Sequence, residues 1–156
     1  MDSANHLIFV TDLQAQLATL HRITKRLESL AVGLASGDIV RMESVAYQLH
    51  NFYNAVEDLL KLVATHFENN ISDVARWHSA LLQRMMQEIP GIRPAVLSFD
   101  TYTALNSLRG FRHFFRHAYE VPLNYELLMV NFKLAQEVLP QLEQDIQLFL
   151  EAIKSE

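Results

Sequence analysis

Leu34-Ala35-Ser36-Gly37-Asp38-Ile39-Val40-Arg41-Met42 contains a glycine suited to end one helix and an aspartate suited to cap the next. The chain is therefore expected to reverse here within a few residues. Upstream, from about Ser3 to Ala35, the apolar positions Leu13, Leu17, Leu20, Leu27, Ala31 and Leu34 recur at steps of four and three, and only Thr24 breaks the row. That spacing predicts one long amphipathic helix. Downstream, Met42, Ala46, Leu49, Tyr53, Val56, Leu60, Val63 and Phe67 repeat the pattern. Two long helices joined by so short a loop pack antiparallel.

The same reading extends to the rest of the chain. Asn69-Asn70-Ile71-Ser72 is the next break, and Val74, His78, Leu81, Met85 and Ile89 mark a third, shorter helix. The segment from Pro90 to Asp100 cannot be helical, because Pro90, Gly91 and Pro94 fall within five residues. A fourth helix is expected to start at about Asp100 as its cap, and Pro122 bars regular continuation far beyond Tyr119. Asn124 should cap a last helix from about Tyr125 to Ile153, kinked at Pro140. There is no strand pattern, internal repeat or low-complexity tract. The expectation is an all-α, antiparallel up-and-down bundle of four to five helices, a single domain over residues 1–156.

The 156 residues are half apolar, which suits a packed core and argues against disorder. There is no cysteine, so neither a disulfide framework nor a thiolate metal site is available. No run of about 18 apolar residues and no basic leader followed by an apolar core is present, so the expected setting is the cytoplasm, with no membrane span. The net charge of −5 argues against broad coating of nucleic acid, which requires an extended basic face. Contact with nucleic acid should be local.

One stretch departs from this acidic background. From Leu105 to Tyr119 there are three arginines and two histidines and no carboxylate. Within it, Arg112-x4-His117-x-Tyr119 pairs a permanent cation with the one side chain that takes and gives a proton near neutral pH. Arg-x4-His alone is expected by chance roughly 0.4 times in a chain of this composition, and the tyrosine two residues on lowers that to about 0.01. Arg112 and His117 lie five positions apart, roughly 140° around a regular helix. One phosphate could meet both only if the helix loosens near its end, or if a two-fold partner brings a second copy.

These residues resemble the Arg-x4-His-x-Tyr motif of HepT-like toxins, HEPN-domain ribonucleases paired with a minimal nucleotidyltransferase antitoxin. The likeness extends to Tyr53-x3-Glu57, to Trp77-His78-x2-Leu81-Leu82 and to the link Ile89-Pro90-Gly91-Ile92-Arg93-Pro94. The resemblance implies a homodimer with paired motifs in one cleft, acting as a metal-independent endoribonuclease on cellular RNA, either tRNA or mRNA, with no cofactor. His117 would be the general acid or base, and Arg112 would stabilise charge on the phosphorus oxygens. Tyr119, seven residues after Arg112 and nearly above it on a helix, would be the tyrosine that the antitoxin modifies with AMP. Glu57 resembles the acidic residue that HEPN domains place near the motif, where it would orient Arg112 or His117 or form a plain ion pair. His113 departs from the small polar residue common at that position, which leaves its role open.

Every one of these residues also has a structural reading. Arg112 could pair with a neighbouring acidic residue while His117 merely ends its helix, and Tyr119 could be a buried closing residue. Arg109 and Arg116 could hold flanking phosphates or be solvated surface. Phe111, Phe114 and Phe115 are expected in the core or a dimer contact. His113 and His117 have the i, i+4 spacing of a metal pair, but three arginines and no adjacent carboxylate disfavour a cation there. The main rival is a non-catalytic HEPN-like helical subunit that binds a nucleotidyltransferase or its substrate. A di-iron bundle is disfavoured by the missing Glu-x-x-His repeats, and a phosphotransfer bundle with a surface histidine is a minor alternative.

Overall fold

The structure, a computed structural model, describes residues 3–68, 74–117 and 122–154, leaving aside the side chains of 74–79, 116 and 117. Five helices account for most of them: α1 (Ser3–Ala31), α2 (Ile39–Glu68), α3 (Val74–Met85), α4 (Phe99–His117) and α5 (Tyr125–Lys154). Among the described residues there is no strand, only an isolated bridge between Ile89 and Arg93. The all-α bundle expected from the apolar spacing is the observed fold.

α2 is the central helix, packed against each of the other four. Its apolar residues occupy more than one stripe: Val45, Leu49, Phe52, Tyr53, Val56, Leu59, Leu60 and Val63 are all buried, as a helix surrounded by neighbours requires. α1 lies along it, burying Phe9, Leu13, Leu20 and Leu27, and Gln16 Nε2 donates to the Ala55 carbonyl at 2.9 Å. Thr24, the break in the apolar row, is also buried. Its hydroxyl donates to the Leu20 carbonyl one turn back at 2.9 Å, so a polar residue enters the core without an unsatisfied donor. His21 meets Glu143 at 2.6 Å and Gln136 donates to Glu28 at 3.5 Å, so α5 runs antiparallel to α1. α5 continues through Pro140 without interruption.

The structure moves three helix boundaries from where the sequence suggests them. α1 stops at Ala31 instead of Ala35, because Gly33 already adopts the left-handed conformation (φ 67°) and the Leu34 N–H turns back to the Ala31 carbonyl at 3.1 Å. The first glycine able to end the helix does so, ahead of Gly37. Asp38 keeps its expected role, accepting from the Arg41 N–H at 3.2 Å. α3 ends at Met85 instead of Ile89, since the Met85 carbonyl is taken by the N–H groups of Val96 and Leu97 at 2.9 and 3.0 Å. α4 is capped by Ser98 and not by Asp100: Ser98 Oγ accepts from the Thr101 N–H at 3.3 Å, and the Asp145 carboxylate on α5 accepts from the Ser98 N–H at 2.9 Å. Asp100 sits in the first turn, where a negative charge faces the positive end of the helix dipole. Asn124 caps α5 as expected, accepting from the Leu127 N–H at 3.0 Å.

The link from α3 to α4 is held by Arg93. Gly91 (φ 78°) turns the chain so that Ile89 and Arg93 exchange backbone hydrogen bonds. The Arg93 side chain is fully buried, donating to the carbonyls of Gln87, Pro94 and Arg84 and to the Glu68 carboxylate. This ties the end of α2 to the start of α4, antiparallel to it.

Candidate functional site

On α2, His50, Tyr53, Asn54 and Glu57 are spaced three and four apart and therefore share one face. That face is turned toward α4, whose Leu105, Leu108 and Phe111 are buried and whose Arg109 and Arg112 flank them, half-buried. Phe115, one turn after Phe111, packs partly into the core. The basic side chains of α4 thus face the polar residues of α2 across the edge of the apolar contact.

Arg112 is the best-held of them. Its Nε donates to Asn54 Oδ1 at 2.6 Å, and its guanidinium carbon lies 5.9 Å from the centre of the Tyr53 ring, within reach of a cation–π contact. Asn54 Nδ2 lies 3.0 Å from His50 Nε2, and the His50 ring lies 6.1 Å from that of Phe115. Among the described residues the two Nη groups of Arg112 have no hydrogen-bond or ion-pair partner. Arg109 is held by an amide as well, its Nε and Nη2 donating to Asn106 Oδ1 at 3.1 and 2.9 Å.

Beneath the arginines, Glu57 and Tyr53 are buried. Burial, then the charge of Glu57 one turn on, push the Tyr53 hydroxyl far above the usual tyrosine range, while Arg109 and Arg112 pull it down by less. Tyr53 stays protonated at any physiological pH. Buried negative charge and two arginines thus meet around one neutral ring, which gives the site a net positive rim over an acidic floor.

The structure brings together Arg109, Arg112 and Glu57 around Tyr53. Asn54 accepts the hydrogen bond from Arg112 Nε. His113 lies exposed on α4. Arg116 and His117 belong to the last turn of α4, but their side chains, and all of Tyr119, lie outside the described residues. His50, Asn54 and Asn106 were missed from the sequence. The first two could have been found as the inward-facing polar partners of Tyr53 and Glu57 on the same face of α2. Among the described residues no group of three or more histidines, aspartates and glutamates could hold a metal ion, and no helix is long and apolar enough to cross a membrane.

A family model described as HepT-like protein matches residues 44–153, from the first turns of α2 to the end of α5 and so across both walls of the site. No curated protein and no solved structure matches the chain.

Proposed function

The chain belongs to the HepT-like family, and on that premise we propose that it is the toxin of a toxin–antitoxin pair, a cytoplasmic endoribonuclease needing no metal, silenced by a cognate nucleotidyltransferase. The observation that carries the reading is Arg112: half-buried, held by a neutral amide, and with both Nη groups unpartnered among the described residues. A guanidinium in that state suits the binding of phosphoryl oxygens. We take residues 1–156 as one catalytic domain.

α4 is helical through His117. Its positions 112 and 117 are then roughly 140° apart around the axis, which favours a two-fold homodimer in which Arg112 of one protomer works beside His117 of its partner. Apolar surface at that end of the bundle supports this: Val40 and Tyr47 on α2 and Leu127 and Val130 on α5 are exposed, and Tyr125 anchors the start of α5 to Leu34 at 3.2 Å.

In the proposed reaction one His117 removes the proton of a ribose 2′-hydroxyl, and the oxygen attacks the adjacent phosphorus. The bond to the 5′-oxygen breaks, and that oxygen takes a proton from the second His117. The products are a 2′,3′-cyclic phosphate and a 5′-hydroxyl. Arg112 stabilises charge on the non-bridging oxygens, and Arg109 and Arg116 hold flanking phosphates. Unpaired RNA suits such a cleft, because its backbone can bend into it. AMP attached to Tyr119 would set an anion beside Arg112 and fill the phosphate site.

The test is cleavage of unpaired RNA in EDTA by the wild type, Arg112→Ala and His117→Ala. Each variant should lose about 10²- to 10⁴-fold while staying folded and dimeric. Near-wild-type cleavage by either ends the mechanism. An inactive wild type would leave a helical subunit that binds a nucleotidyltransferase without catalysis.

A further inference from the structure

Arg112 reaches from α4 to α2, and the side chain that meets it there is an amide, not a carboxylate. An arginine side chain has only donors, so the oxygen end of Asn54 must face it. That orientation commits Asn54 Nδ2 to donate to His50 Nε2, at 3.0 Å, and His50 must offer a bare nitrogen there. The hydrogen bonds therefore run in one direction, guanidinium to amide to imidazole. Phe115, one turn beyond Arg112 on α4, flanks the His50 ring, so His50 is itself packed against the helix that carries the arginine.

We infer that His50 and Asn54 are positioning residues for Arg112, holding its guanidinium by Nε so that its Nη groups face a phosphoryl oxygen. The inference rests on the nuclease reading of Arg112. The choice of an amide matters. A carboxylate at position 54 would fix the guanidinium as firmly but would neutralise it, whereas an amide fixes its direction and leaves its charge for an anion. The Tyr53 face, with its ring centre 5.9 Å away, supports the cation from below in the same way, without a countercharge. A long side chain ordered before substrate arrives need not be ordered at the moment of binding. Misplacement of a catalytic group by about 1 Å is enough to lower a rate on the order of 10²-fold.

Two readouts test this on the full-length protein. The first is the proton-exchange protection of the Arg112 Nε–H, followed by NMR. The second is cleavage of a labelled unstructured RNA oligonucleotide, resolved into kcat and KM. Asn54→Leu should lose the Nε–H protection and about 10²-fold in kcat, with KM changed much less, because the lost interaction acts in the transition state. Asn54→Asp should keep the protection and still lose kcat, since the charge is then neutralised. His50→Leu should loosen the Nε–H, and His50→Gln, whose Oε1 offers an acceptor in a similar place, should recover much of that loss. In an Arg112→Lys background, which has no Nε–H to hold, Asn54→Leu should add no further loss. The inference fails if Asn54→Leu leaves the Nε–H protected, if it lowers activity equally in the Arg112→Lys background, or if Asn54→Asp cleaves as well as the wild type. If protection is lost on Asn54→Leu but the wild type cleaves no RNA, the brace stands and the nuclease reading falls.

Discussion

Replacing Arg93 with methionine should be among the most damaging single changes in this chain, although it lies at the opposite end of α4 from the motif. The Arg93 side chain has 0% exposure and Glu68 only 5%. Removing one partner of a buried ion pair typically costs about 3–5 kcal/mol, because the other charge is stranded. Arg84 also bonds Glu68 but is 56% exposed, so its screened charge compensates only in part. The carbonyls of Gln87, Pro94 and Arg84 lose a charged donor as well. Taken together, a loss of about 3–4 kcal/mol is expected, or roughly 6–16 °C in Tm for a chain of this size. Urea unfolding followed by circular dichroism measures it. Arg93→Met/Glu68→Leu should be more stable than the single variant, since no buried carboxylate is then stranded. A loss below about 1 kcal/mol in Arg93→Met, or a double variant less stable than the single one, would refute this account of the link.

Two further outcomes are expected. Burial, and then the nearby His6, lower the pKa of His66 below its usual 6.5, so the folded state favours its neutral form. The stability this contributes is complete above about pH 6.5 and is lost as pH falls through the lower folded value. His66→Phe keeps an aromatic ring against Phe9, stacked at 4.2 Å in the wild type, and should flatten the acid side of a Tm-against-pH curve; an unchanged acid side would show that other groups set it. Tyr119→Phe should remain folded and toxic yet escape silencing by the cognate nucleotidyltransferase with ATP, and mass spectrometry of the coexpressed wild type should find AMP on the peptide containing Tyr119. Equal silencing of the variant would mean that the antitoxin works by contact alone.

The helices were legible because each carries an apolar row at helical spacing, and burial follows those rows through α1, α2 and α5. Their ends were less legible because neighbouring residues compete for the same role. Gly33 and Gly37 could each end α1, and Ser98 and Asp100 could each cap α4. Tertiary contacts decide between them: Asp145 of α5 fixes Ser98, and no local pattern announces a partner 47 residues away. In the site, Arg112 and Arg109 stand out because the rest of the chain is acidic, and Glu57 because it lies a turn from Tyr53. Asn54 and His50 do not stand out. An amide and an imidazole on a helix read as ordinary polar surface until α4 is laid antiparallel along α2 in the register that sets residue 112 against residue 54 and residue 115 against residue 50.

That register bears on why the site is built between two helices at all. On α4 alone, Arg112 would be a solvated cation with many rotamers. Packing Leu105, Leu108 and Phe111 into the core fixes the height of α4 against α2 and brings the guanidinium to the Tyr53 face and the Asn54 oxygen. The apolar contact sets the position of the helix, and the amide sets the direction of the side chain. Neither Asn54 nor Tyr53 carries charge at neutral pH, so these two partners direct the guanidinium without adding a countercharge. Glu57, whose charge acts on the Tyr53 hydroxyl, is buried. Arg112 is thereby held by two uncharged partners, which is what the proposed stabilisation of a phosphorane would require of it.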